Sequence, residues 1–281
     1  MPLRAGLMAV GALLVTVCQL GCFSGVEGPD PDAQGSELQL SGDLVYTLDW
    51  DRTGVVFGEG SWSASNELGF EFEIDQAYAV TYSLELVPCD PVPDLDAGIG
   101  DMASWLLEWL GSRRAHAGHS GSPFNPTRLG QSMVESVHEA QAYVSPVMSS
   151  QDVAYCQFHY LVARAHGGTQ RLPDAYDLMG QSAAFAGRWR RGPGTWSDFE
   201  WRTNLPWGEV LSLDRVDAPG AEFEPNAMTR VRLQRPLRGL LKSLDPESMS
   251  PTVLANIMVK QMVQGTEVQI ETPQGVWRSP P

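Results

Sequence analysis

Basic residues are scarce: 19 of the 281 residues are lysine or arginine, against 34 aspartates and glutamates, and the formal charge is −15. A field of that sign repels phosphate backbones and anionic headgroups, so nucleic-acid binding is the first function class to drop. Nucleotide chemistry also lacks support, because no GxGxxG and no phosphate loop occurs. There is no apolar run of the roughly 20 residues that a membrane-spanning helix needs. The stretch Ala5 to Val17 stops at thirteen. Cysteine and histidine are rare, at four and five residues. What the chain does have is 43% hydrophobic residues punctuated by 28 glycines and 20 prolines. That is enough to bury a core, which excludes global disorder and fits one large domain or two small ones.

The N-terminus reads as an address. Arg4 precedes the uncharged stretch, and Cys18-Gln19-Leu20-Gly21-Cys22 closes it, so residues 1–22 have the layout of a secretory signal. The end of this segment resembles a bacterial lipoprotein signal: Leu20-Gly21-Cys22 match its last three positions, while Gln19 stands where leucine is usual. The resemblance implies a lipid on Cys22 and a lipid-anchored protein of the bacterial cell envelope. Phe23 follows the anchor where aspartate is absent, which resembles cargo of the outer membrane, facing the periplasm or the cell surface. Residues 23–41 are poor in large apolar groups and broken by Pro29 and Pro31, and read as a flexible acidic tether. With Cys18 removed and Cys22 lipidated, Cys89 and Cys156 remain. An oxidising compartment favours a disulfide between them, and two separate buried thiols are the alternative.

From Leu44 the hydrophobic pattern takes period two. Leu44, Tyr46, Leu48 and Trp50 share one face, and Leu68 to Ile74 and Tyr78 to Leu86 alternate similarly. A strand over 153–165 puts Cys156, Phe158, Tyr160 and Val162 on one face and Tyr155, Gln157 and His159 on the other. Further strands are predicted at 183–190, 197–203, 209–214, 229–234 and 266–271. Helical spacing is confined to Asp101–Gly111, to the stripe Leu129, Met133, Val134 and Val137, and to a segment opened by Ser250-Pro251 and closed by Gly265. The expected fold is mainly β: an antiparallel β-sandwich, Ig-like or similar, with a short helical insertion and a C-terminal helix. A single domain would cover 42–273, with the insertion over 90–150 and a disordered tail over 274–281.

Catalytic motifs fail one by one. His138-Glu139 begins like a zinc-protease helix, but Ala142 stands where the second histidine is required. Gly118-His119-Ser120-Gly121-Ser122 lacks the glycine that a nucleophile elbow needs at its end. No enzyme is therefore expected. His116 and His119 form an HxxH pair in a Gly/Ser-rich stretch, and two imidazoles at that spacing can serve one copper or zinc ion. His159 on the outward strand face is a candidate third ligand, with His138, Glu135 and His166 as other donors. An exposed polar loop is the competing reading of the pair. Trp189, Trp196 and Trp201 crowd around Arg188, Arg190 and Arg191. Cross-strand aromatic pairing explains them structurally; functionally, such a face could hold a glycan or protein.

The order Val87-Pro88-Cys89, a His-bearing insertion, and Val153-Ala154-Tyr155-Cys156 resembles uncharacterised lipoproteins of Gram-negative bacteria. More distantly it is similar to periplasmic copper-binding proteins associated with methanobactin clusters, which implies export, a β-rich fold and histidine ligands, here His116 and His119. The expected function is a membrane-anchored, non-catalytic binding domain for copper or zinc. A structural or adhesive envelope protein using the aromatic sheet surface is the alternative.

Overall fold

A computed structural model describes residues 38–89, 125–139, 141–174, 176–213, 228–272 and 275–279. The protein is mainly β, and its hub is β4 (Phe70–Pro88). The first half of this strand pairs with β3 (Trp62–Ser65) on one edge and β8 (Ala183–Arg191) on the other. In its second half, β5 (Met133–Ser136) succeeds β3 on one edge and β7 (Met148–Val162) succeeds β8 on the other. Register shifts at Ile74/Gln76 and Thr81/Ser83 mark where β4 passes from one set of partners to the next. Extra residues of this kind bend a strand and sharpen its twist, so one strand can serve two layers.

One layer runs from β2 (Val56–Phe57) through β3, β4 and β8 to β9 (Ser197–Thr203). The other runs from β4 through β7, β1 (Leu38–Asp51), β11 (Thr229–Pro236) and β12 (Glu267–Thr272) to β13 (Gly275–Arg278). β10 (Trp207–Ser212) lies along β7, and β6 (Tyr143–Val144) along β1. The arrangement is the expected sandwich, with one departure: β1 and β11 pair in parallel, from Leu44↔Thr229 to Asp51↔Pro236.

Side chains from both layers meet in one core, including Trp62, Phe72, Ile74 and Phe185 from the first and Tyr46, Phe158, Val231 and Ile270 from the second. The helix α1 (Pro251–Gln264) closes it with Leu254, Met258, Met262 and their neighbours. Its boundaries are those the sequence predicts: Ser250 at the N-cap, proline in the first turn and Gly265 at the C-cap. A second, smaller cluster of Val80, Val134, Ala165, Leu178 and Ala184 sits on the outer face of β4 and β8, under the segment between β7 and β8.

Several expectations are corrected. The stripe Leu129, Met133, Val134 and Val137 is not a helix; it contains β5, with Met133 and Val137 in the main core and Val134 in the second cluster. A short strand covered on both faces loses the alternation that would reveal it, and the four-residue spacing of its apolar groups then mimics a helix. Among the described residues of the insertion, 125–139 and 141–150, there is strand and turn but no helix. The tail over 274–281 contains β13, whose Trp277 is 3% exposed and pairs with Ile270. At the other end, β1 starts at Leu38, inside the stretch read as tether, with Leu38 opposite Tyr155 and Leu40 opposite Val153. The signal segment, Cys22, the Asp101–Gly111 helix, His116 and His119 lie outside the described residues.

Candidate functional site

β4 and β7 run antiparallel with Leu86 opposite Phe158 and Glu85 opposite His159. Past Val87 the register shifts, so that Val87 faces Gln157 but Pro88 faces Tyr155, and Cys156 is the extra residue. The phase inverts there: Tyr155 turns into the core, while Cys156 is half-buried. Alternation in the sequence predicts the opposite for both, since a one-residue bulge is invisible to it. At this bulge Cys156 is bonded to Cys89, the disulfide expected from the cysteine count.

Further along the same strands, Glu85 and His159 make the most suggestive pair of donors. Glu85 Oε1 lies 3.8 Å from His159 Nδ1, with the histidine side chain 37% exposed and the glutamate largely covered. Nε2 of the ring lies 3.2 Å from Gln157 Oε1, and the Asn125 side-chain amide donates to Glu85 Oε2 at 3.3 Å. Burial lowers the pKa of His159, and the Glu85 charge opposes that shift. A neutral imidazole beside a carboxylate supplies two of the three or four ligands that zinc or copper takes. Among the described residues no third histidine, cysteine or acid joins them to complete a metal-holding group.

The other histidines do not converge on it. His166 Nδ1 accepts from the Gly168 amide at 3.1 Å, and its Nε2 lies 3.1 Å from Ser132 Oγ. His138 is half-buried, its Nε2 has no hydrogen-bond partner, and burial lowers its pKa against the opposing charge of Asp75. Glu135 faces inward, 3.0 Å from the guanidinium of the buried Arg235. None of these three belongs to a common centre with His159.

The tryptophans separate as well. Trp201 is buried and stacked on Phe199 at 3.9 Å between centroids, and Trp189 packs edge-on against Phe70. Trp196 alone lies with the outward arginines, its ring beneath Arg188 at 4.9 Å and Arg190 at 4.6 Å. Those arginines are paired in turn with Glu73 and Glu71. The three indoles therefore do not form one aromatic platform.

Sequence reasoning passed over two groupings. One is the buried set Thr81, Glu135 and Arg235. The series Thr229, Val231, Leu233, Arg235 on alternate positions was a legible pointer to it. The other is a cleft of about 410 Å³ lined by Glu139, Gln141, Ala142, Tyr143, Val144 and Arg171. No sequence signal connects Arg171 to residues 139–144, because the contact is made by the tertiary fold.

These features define a disulfide-bridged, mainly β sandwich with a paired imidazole and carboxylate on its outer face. Compared with protein-family models, characterised proteins and solved structures, the chain has no match.

Proposed function

We propose that this is an exported, lipid-anchored envelope protein whose sandwich binds a ligand without catalysis, and that the ligand is copper or zinc held by His159 with His116 and His119. One observation carries the reading: both ends of the stretch bearing the HxxH pair are fixed on the strands that hold His159. Cys89, before the stretch, is bonded to Cys156 on β7, and Asn125, after it, donates to Glu85. His119 precedes Asn125 by six residues. Such a span reaches at most about 20 Å, so the pair is within range of His159 by chain length alone. Glu85 would orient the ring or enter the ligand set itself. The disulfide supports export, since such bonds persist in oxidising compartments, and lipid on Cys22 would tether the domain to the membrane.

The test is elemental analysis of the full chain after loading with copper or zinc. Wild type should retain one metal, a His116→Ala/His119→Ala variant should retain none, and His159→Ala should bind at least about tenfold more weakly. Equal, negligible metal in wild type and double variant would end the metal reading. Lipid labelling that persists in Cys22→Ala would end the anchor.

A further inference from the structure

We infer that the cleft between Glu139 and Arg171 is a binding site for a neutral sugar. Its walls are fixed by the fold. Tyr143 and Val144 belong to β6, in register with Leu48 and Thr47 of β1. Opposite them, Gln170 is locked to the β5 region through Val134 N–H to Gln170 O at 3.0 Å and Gln170 N–H to Ser132 O at 2.9 Å. The next residue, Arg171, adopts φ +60°, a left-handed conformation that a side-chain-bearing residue takes at a cost. That conformation goes with a guanidinium placed over the Tyr143 ring at 5.5 Å and in contact with Glu139 Oε2. Arg52 donates to the carbonyl oxygens of Val137 and Glu139 and so fixes the backbone at Glu139.

The lining selects the ligand by elimination. An anion would have to displace the Glu139 carboxylate from Arg171 within a protein of net charge −15. A cation would have to displace Arg171 from Glu139, and no metal-holding group occurs among the described residues. A wholly apolar ligand would cover the Glu139–Arg171 pair without replacing its hydrogen bonds to water, which is costly. A neutral, polyhydroxylated ring meets none of these penalties. Its C–H face can rest on Ala142, Tyr143 and Val144, while its hydroxyls donate to Glu139 and accept from Arg171 and Gln141. The volume lies in the range of small-molecule sites. This site uses different strands from His159, so it stands or falls apart from the metal reading.

The experiment is a titration of the full chain with maltose, cellobiose, lactose and N,N′-diacetylchitobiose, in the presence of a chelator, followed by calorimetry and by amide chemical shifts. At least one disaccharide should bind saturably in the millimolar range. Arg171→Gly, which keeps the left-handed backbone at no steric cost, should weaken binding at least about tenfold with an unchanged melting temperature. Tyr143→Ala should do the same, and Gln141→Ala, at an exposed position, serves if that variant does not fold. Absence of saturable binding to any of the four sugars overturns the assignment. So does undiminished binding in Arg171→Gly, or competition by inorganic phosphate.

Discussion

Arg235 is fully buried, an unusual place for a guanidinium group. Its Nη2 donates to Thr81 Oγ1 at 2.7 Å and lies 3.0 Å from Glu135 Oε1, and the Trp50 ring lies 5.8 Å from its Cζ. Thr81 in turn donates to Glu135. These contacts tie β11 to β4 and β5. Nε and Nη1 of the arginine and Oε2 of the glutamate are buried without hydrogen-bond partners. Removing one charge strands the other in the core, whereas removing both relieves the desolvation cost. Glu135→Leu and Arg235→Met should each lower the unfolding free energy by about 3–5 kcal/mol, and the double variant should recover most or all of it. Urea unfolding of the four proteins gives the cycle; single variants within about 0.5 kcal/mol of wild type would show that this pair contributes little. The position of Arg235 was legible, because it continues the inward series of β11, yet a charged residue reads most simply as the end of a strand. Glu135 was not legible: three residues before His138, it looks like a helix face, and only β4 and β11 together make its site.

At the scale of elements, the tightest constraint lies where β8 crosses the bend in β4. Gly187 pairs with Ile74, at the register shift that follows. A Cβ built on Gly187 would stand 2.1 Å from Glu73 O and 2.8 Å from Ile74 Cα, both backbone atoms that cannot rotate away. Gly187→Ala must therefore push the two strands apart and should cost at least about 1–3 kcal/mol in thermal or urea unfolding. Gly167→Ala, with open space around it, should stay within about 0.5 kcal/mol of wild type. Equal stabilities would mean that β4 relaxes freely at its bend. What the sequence reveals about elements follows from how each is covered. β11 and β12 alternate because one face is wet, and α1 carries a buried stripe with a proline start and a glycine end. Even there Val253, expected inward, is 45% exposed, since it lies in the first turn of α1. β5, covered on both sides, and β13, with a single buried tryptophan, carry no period to detect.

Across the whole molecule β1 and β11, neighbours inside one layer, pair in parallel over a long sequence separation, while β4 and β7 carry the one covalent tie among the described residues. Cys89 and Cys156 are 67 residues apart, and the loop they close contains β5, β6 and the HxxH stretch. Constraining that loop in the unfolded chain stabilises the fold by about 4 kcal/mol in the chain-entropy treatment. Within the folded state the tie does different work. It sits at the bulge that turns Tyr155 inward, three residues from His159, and so holds the start of the long insertion to the strand opposite. A Cys89→Ala/Cys156→Ala variant should then show two separable effects. Its unfolding free energy should fall by about 4 kcal/mol, measured by urea unfolding of protein purified without reductant. Amide exchange should quicken first along the 155–159 end of β7 and the 85–89 end of β4, with β11 and β12 as protected as in wild type. Uniformly faster exchange across both layers would instead mean that the bridge acts only through the unfolded chain, and that hydrogen bonding alone secures the bulge.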